Sequence, residues 1–475
     1  MIVLKFGGTS VSTPDRIFTI CKIVKKEIAK NPIVVVSALK GVTDALYSLS
    51  SLSKKKQQVK LEELKKAHFE LIKNVLHDTR LSDAKGYIEK NLKSIEKFLN
   101  VKIKDKAFYD KIASHGEIMS SFIISKAIEE SGIKSTQVLS TDFIITDNSF
   151  GSAEFIPEKT RTNSQKVLLP LLKKEIVPVV TGFIGSTSAG DVTTLGRGGS
   201  DYTASIIGFS LGASEIQIWT DVNGVFSADP RLVENAKILS SISYSEASEL
   251  ATFGAKVLHP RTIKPAIENG IPVRVLNTLN PLSRGTLIIK NSVNSAPITA
   301  ISFKRKVTLV NITSEKMFLK KGFLAIIFEI FSKNGISIDL VSVSEISVSV
   351  TLDNDENLEK TISDLSKFST VYVRKELGMV SLIGEGIVGS SSCIKKIFEL
   401  LDQSNILVKM ISLGARDINV SIIVAKSDVE KAVRVLHDKL LIKLWNKEQK
   451  KVKEDIIRQS KAYRIKKNKE IKTVN

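Results

Sequence analysis

Cysteine is nearly missing from this 475-residue chain: only Cys21 and Cys393 occur, far apart and outside any CxxC spacing. That excludes a disulfide framework and a thiolate zinc cage, and it points to a reducing, cytoplasmic setting. No stretch approaches the roughly 18 uninterrupted apolar residues that a membrane-spanning helix needs. The chain opens on Met1-Ile2-Val3-Leu4-Lys5-Phe6, a strand pattern that leaves no room for a signal peptide. No GxxxxGK[ST] run is present, so a Walker A loop is excluded. Acidic residues are also in short supply, 50 against 70 Lys and Arg, for a net charge of +20.

Such an excess invites a nucleic-acid partner, but its distribution argues otherwise. Much of it lies in a tail from Asn446 onward, and another share in a Lys-rich helical stretch between Lys54 and Lys106. Neither interleaves aromatics with basic residues as a single-strand-binding surface does. A solvated helix face and a loose tail account for both, and no specific nucleic acid is expected.

At this length two to four domains are expected. Ile2–Phe6, Pro32–Val36, Ile176–Phe183 and Glu215–Trp219 are short Val- and Ile-rich runs of the kind a parallel sheet buries on both faces. Amphipathic stretches such as Arg16–Ala29 and Tyr202–Leu211 separate them, which predicts an α/β sandwich over residues 1–290. A strandless stretch at about 50–110 reads as a helical insertion. Beyond Gly285 the texture changes. Ile327–Phe331 leads through Ser337–Val341 to Ser347–Thr351, and Ile397–Leu401 leads through Leu407–Ile411 to Asn419–Val424. The shared order and spacing predict a duplicated pair of small α+β modules, at 298–378 and 379–445, with a basic tail over 446–475.

Three glycine-bearing or strand-end segments carry the chemistry. Lys5-Phe6-Gly7-Gly8-Thr9-Ser10 follows the first strand, with Thr13 and Pro14 starting a helix. Glycines there let backbone amides approach phosphate oxygens, and the helix start adds positive potential. Thr194-Leu195-Gly196-Arg197-Gly198-Gly199-Ser200-Asp201 precedes a second helix; its arginine suits a carboxylate. Trp219-Thr220-Asp221 opens at the carboxyl end of a strand, where open α/β sheets bind ligands.

KFGGTSV at Lys5–Val11, SHGE at Ser114–Glu117, TLGRGGSD at Thr194–Asp201, WTDV at Trp219–Val222 and FGAKVLHP at Phe253–Pro260 occur in the order seen in aspartokinases. The chain resembles the monofunctional, lysine-sensitive type from Ile2 to about Leu441. The resemblance implies an amino-acid-kinase three-layer sandwich around a mainly parallel sheet, followed by two ferredoxin-like ACT modules. In that family the first module is inserted into the second, so 298–306 would belong to the second.

The implied reaction joins the ATP γ-phosphoryl group to the β-carboxylate of L-aspartate, with magnesium on the phosphates and no metal held by protein ligands. Lys5, Arg197 and Asp201 would be catalytic. Thr43, Glu117, Arg197, Gly198, Gly199 and Ser200 would bind aspartate, with Glu117 on its ammonium and Arg197 on its α-carboxylate. Lys5, Phe6, Gly7, Gly8, Thr220, Asp221, Phe226, Arg231, Lys256 and Val257 would hold the nucleotide. Phe226 stands where relatives carry tyrosine, and Asn223 where proline is common. His115 and His259 sit inside matching motifs without an evident role. Met317, Lys320, Phe323, Leu324, Asp339, Ser344 and Glu345 match the inhibitor-binding pattern, which implies feedback by L-lysine and a homo-oligomer built through the ACT modules. The rival readings are another amino-acid kinase, acting on glutamate or a nucleotide, and a non-catalytic amino-acid sensor.

Overall fold

The computed structural model describes residues 1–101, 103–254, 258–291, 296–317, 321–387, 389–413 and 418–446. It separates into two compact units. The first comprises Met1–Val225, Ile238–Ala247 and Lys256–Ser292; the second gathers Phe226–Lys237, Ser248–Ala255 and everything from Val293. Among the described residues, no helix is long and apolar enough to cross a membrane.

The first unit begins with β1 (Ile2–Phe6), α1 (Pro14–Glu27), β2 (Pro32–Val36) and α2 (Val42–Ser48). Three long helices follow: α3 (Lys54–Lys73), α4 (Asp78–Leu99) and α5 (Lys106–Glu130). The chain then forms β3 (Ser135–Val138), β4 (Ile145–Thr146), α6 (Pro157–Lys173), β5 (Val177–Thr181), β6 (Ile184–Thr187) and β7 (Val192–Thr194). It ends through α7 (Gly199–Leu211), β8 (Glu215–Thr220), β9 (Ser241–Ser243), α8 (Tyr244–Thr252), α9 (Pro260–Glu268), β10 (Val273–Asn277) and β11 (Thr286–Ile289).

Eight strands form one sheet in the order β3-β5-β2-β1-β8-β10-β11-β9, and all its pairings are parallel except β10 with β11. Every residue of β1, β2 and β5 is buried, as continuous apolar runs demand when helices cover both faces. The helical stretch expected to stop near residue 110 runs on, because α5 is unbroken to Glu130. Its middle is buried on nearly every face, so it is a core helix rather than an appendage.

In the second unit, β12 (Ala300–Thr313), α10 (Phe323–Lys333), β13 (Leu340–Val343), β14 (Ser347–Leu352) and α11 (Leu358–Leu365) are followed by β15 (Thr370–Ile383). Then come α12 (Ser391–Gln403), β16 (Met410–Ser412), β17 (Asn419–Ala425) and α13 (Val429–Leu436). The sheet order is β13-β14-β12-β15-β17-β16. Both long strands are divided by function. Thr308–Thr313 pairs with β14 and with Thr370–Arg374, whereas Ala300–Lys304 pairs with Met379–Ile383, which in turn pairs with β17. The N-terminal end of β12 therefore completes the second module, and the register shifts between Lys304 and Leu309, where the chain passes to the first.

Each module has its own apolar core. Phe323, Ile327, Phe331, Val348 and Val350 fill one; Ile397, Leu401, Val420, Ile422, Val433 and Leu436 fill the other. Ala228, Leu232 and Val233 join the second of these, which explains why Phe226–Lys237 groups with this unit. Beyond α13, His437–Leu441 forms a π turn, and the buried His437 places Nε2 3.0 Å from Ser227 Oγ and Nδ1 3.0 Å from Asp438 Oδ1. Of the expected basic tail, 447–475 lies outside the described residues.

Candidate active site

Three neighbouring parallel strands, β5, β2 and β1, end on one side of the first sheet, and the loops that leave them border a cavity of about 520 Å³. β1 delivers Lys5 and Gly8, β2 delivers Ser37 to Gly41, and β5 is followed by Phe183. α5 adds Glu117 from its buried middle, and the start of α7 adds Arg197 to Ser200.

Lys5 Nζ lies 2.5 Å from Asp201 Oδ1, and both side chains are largely buried, at 11% and 14% exposure. A lysine on the first strand and an aspartate in the first turn of α7, 196 positions later, thus form one ion pair. The loops around it are held tightly. Gly7 N–H donates to Trp219 O at 3.2 Å. Ser12 Oγ donates to Gly8 O and accepts from Lys40 N–H at 2.8 Å, which pins the first glycine loop to the next wall of the cavity. A Cβ on Gly8 would lie 2.8 Å from Ala38 O, so glycine is required for that approach.

Glu117 is fully enclosed, at 3% exposure. Its Oε1 accepts from Ala38 N–H at 3.1 Å, while Oε2 is buried without a hydrogen-bond partner. Burial pushes its carboxyl up to about 8; the Ala38 amide and Lys5 oppose that rise. An orphaned carboxylate oxygen in a cavity wall is a receptor for an incoming cation. Arg197 is exposed, lines the same cavity and forms no salt bridge among the described residues, which leaves its guanidinium available to an anion.

Thr43, Gly198, Gly199 and Ser200 line the same cavity. Phe6 does not: its ring is fully buried and stacks on Trp219, centroids 6.1 Å apart. Thr220 and Asp221 sit at the end of β8, next to β1 in the sheet, with Thr220 Oγ1 donating to Asp221 Oδ1 at 3.3 Å. Phe226 and Arg231 belong to the second unit, where the Arg231 guanidinium is paired with Asp229 at 2.6 Å. Lys256 and Val257 lie outside the described residues. His115 is structural: Nδ1 bonds Asn91 Oδ1 at 2.7 Å and burial lowers it to about 4, which keeps it neutral. His259 supplies the backbone cap of α9.

Three features in or beside the cavity escape sequence reasoning. Phe183 adopts φ +70°, a left-handed conformation that bulky residues rarely take and that clusters at functional sites. Tyr47 lines the cavity near Glu117, and burial raises its hydroxyl. Asp110, two turns before Glu117 on α5, bonds the loops on the far rim. Only Phe183, beside Gly182, left a trace in the sequence, and that trace is a plain glycine.

Among the residues matched to effector binding, Phe323 is buried at the start of α10 and Leu324 is exposed. Met317 packs on the first module's core. Asp339 precedes β13 and pairs with Lys304 at 3.3 Å. Ser344 Oγ bonds Ser347 Oγ at 2.8 Å, and Glu345 is exposed. Lys320 lies outside the described residues.

Known proteins match along both units. The amino acid kinase family matches residues 1–277, and an ACT domain family matches 380–440. Chloroplastic aspartokinase 3 of Arabidopsis thaliana is 35% identical, covering 92% of this chain and 80% of its own. Lysine-sensitive aspartokinase 3 of Escherichia coli (strain K12) is 34% identical, covering 93% and 99%. Among solved structures, E. coli aspartokinase III in complex with aspartate and ADP superposes with a TM-score of 0.79 at 34% identity, covering 93% of this chain and 100% of that one. The same enzyme with lysine and aspartate gives 0.81, covering 93% and 99%. With its first 277 residues matched to the family and relatives of this kind matched nearly end to end, the chain belongs to the amino acid kinase family and, within it, to the aspartokinases.

Proposed function

We infer that this chain is an aspartate kinase that transfers the ATP γ-phosphoryl group to the β-carboxylate of L-aspartate. The observation that carries the reading is the pairing, in one cavity, of a buried lysine with a cation receptor. Lys5, Glu117 and Arg197 line the same cavity, and Glu117 Oε2 is buried without a hydrogen-bond partner; Lys5 is assigned the phosphoryl group.

A carboxylate of pKa about 3.9 is already ionised near neutral pH, so the nucleophile needs no general base. One aspartate β-oxygen forms a bond to the γ-phosphorus while the bond to the β,γ-bridging oxygen breaks and ADP leaves; no proton moves. The obstacle is charge, and catalysis rests on positioning and electrostatic stabilisation. Lys5 offsets the anionic phosphoryl group, and Asp201 holds Lys5 in place. Glu117 takes the substrate ammonium, Arg197 its α-carboxylate, and Thr43, Gly198, Gly199 and Ser200 complete the wall. Gly8, Thr220 and Asp221 meet the nucleotide, with Phe226 and Arg231 assigned the same role by motif.

Magnesium fits this arrangement. A hard cation of this kind is carried mainly by phosphate and water oxygens, which the bound nucleotide would supply. Asp201, paired with Lys5, is a carboxylate near which the ion would neutralise phosphate charge.

The proposal extends to organisation and control. Residues 1–290 form the kinase domain, 298–378 and 379–445 the ACT modules, and the chain works as a cytoplasmic homo-oligomer inhibited by L-lysine. The test is ATP-dependent formation of a hydroxylamine-trappable acyl phosphate. Aspartate should support it, and glutamate and nucleoside monophosphates should not. Equal trapping with glutamate, or none with aspartate, would sink the assignment.

A further inference from the structure

Asp110 belongs to none of the motifs and does not line the cavity, yet its carboxylate binds two of the cavity's loops. It is 1% exposed. Oδ2 accepts from Gly151 N–H and from Thr194 N–H, each at 2.8 Å, and Oδ1 accepts from Thr194 Oγ1 at 2.7 Å. Thr194 is the last residue of β7, immediately before the Leu195–Asp201 run that carries Arg197, Ser200 and Asp201. Gly151 lines the cavity, and a Cβ on Gly196 would lie 3.3 Å from Gly151 O, so the two loops rest on each other. Three donors from two loops therefore converge on one buried carboxylate.

The helix gives this arrangement its meaning. Asp110 and Glu117 stand seven residues apart on α5, two turns along one face, a rise of about 10 Å. A single rigid element thus fixes both the ammonium receptor and the anchor of the arginine loop. Charged hydrogen bonds are the strong ones, and losing them from a buried site lets the loop shift. Ground-state burial of a carboxylate is costly, and three donors offset that cost only while both loops stay in place.

We propose that Asp110 is a positioning residue for aspartate binding: it sets the distance between the Arg197 loop and Glu117, and so tunes the KM for aspartate rather than that for ATP. This rests on the aspartate kinase reading, in which Arg197 and Glu117 grip the two ends of the substrate's α-carbon.

The test uses full-length protein and steady-state kinetics. Asp110→Asn keeps the shape but replaces one acceptor oxygen with a donor. It should raise the aspartate KM about ten-fold and leave the ATP KM within about two-fold. Thr194→Val, which removes one hydroxyl and keeps the amide, should move the aspartate KM in the same direction, and Thr194→Ser should restore it. In an Arg197→Ala background, Asp110→Asn should add almost nothing to the aspartate KM, because its effect passes through that guanidinium. If Asp110→Asn does not fold, the Thr194 pair and its own cycle with Arg197→Ala decide the question. Unchanged aspartate KM in these variants, parallel losses for both substrates, or full additivity with Arg197→Ala would overturn the proposal. Absence of acyl phosphate in the unsubstituted chain defeats the functional reading instead; normal turnover with an unmoved aspartate KM defeats this inference alone.

Discussion

Lys304 Nζ occupies Asp339, 3.3 Å from Oδ2, and contacts Asp353 as well. Asp339 is the carboxylate matched by motif to an effector ammonium, and here the chain's own lysine fills that role. Lys304 is 13% exposed and lies 6.0 Å from the Phe253 ring centroid, so it is held rather than waving in solvent. Burial and the neighbouring Asp353 raise the Asp339 carboxyl, and Lys304 opposes them.

Under the proposed lysine regulation, an effector ammonium bound by Asp339 would have to displace Lys304. Lys304→Met should therefore lower the lysine concentration for half-inhibition by about ten-fold, the scale of one charged hydrogen bond. Inhibition curves for the two proteins at fixed aspartate decide it; coincident curves would mean that Asp339 is not the receptor.

As the proposed receptor of the aspartate ammonium, Glu117 should make substrate binding depend on pH. Its carboxyl sits at about 8 in the folded chain against an ordinary 4.5, because burial disfavours the charge. Between those values the native state holds a proton that the unfolded chain has released, so stability of the substrate-free protein falls as pH rises through that window. Aspartate binding runs the other way. Its ammonium needs ionised Glu117, so the aspartate KM should drop about ten-fold per unit from about pH 6 toward about pH 8. In Glu117→Gln the slope should vanish and the KM rise; a flat profile in the unsubstituted protein refutes the assignment.

The Lys5–Asp201 pair should support both fold and chemistry. Lys5→Met strands a largely buried carboxylate, which should cost about 3 kcal/mol in urea unfolding. The turnover number should fall about a hundred- to a thousand-fold. Adding Asp201→Asn should recover stability but not turnover. Recovery of both would make the pair structural only.

How much of this was legible in the sequence depends on where the information lies. Lys5, Glu117, Arg197 and Asp201 stood in ordered motifs; the first three line one cavity, and Asp201 pairs with Lys5. Asp110 was invisible because its partners lie 41 and 84 residues away and carry no special residue type beyond one threonine. Phe183 left no trace beyond the neighbouring Gly182, because its peculiarity is a backbone angle. The attachment of Phe226–Lys237 to the second unit rests on three small apolar residues, Ala228, Leu232 and Val233, whose run is too short to show a period. The strand alternation of the first 290 residues, by contrast, announced its parallel sheet directly, since buried strands must be apolar on both faces.

Gly182 offers a test of how tightly the aspartate side is built. A Cβ there would lie 2.6 Å from both Ser200 Cβ and Ser200 Oγ, and 2.8 Å from Val36 O. Gly182→Ala should displace Ser200 and raise the aspartate KM several-fold, by about 1 kcal/mol or more of lost binding. Restoration by adding Ser200→Gly, read from thermal unfolding, would separate the steric effect from the lost hydroxyl.

The two long strands of the second unit have a mechanical corollary. Because β12 and β15 each thread through both ACT modules, neither module is a bead on a string. A shear of the inserted half is carried to its host along unbroken main chain, through the irregular register at Lys304 to Leu309, much as a beam shared by two rooms transmits the sag of one floor to the other. Lys304, at that same joint, is also the residue that holds Asp339, so the latch and the beam meet at one place.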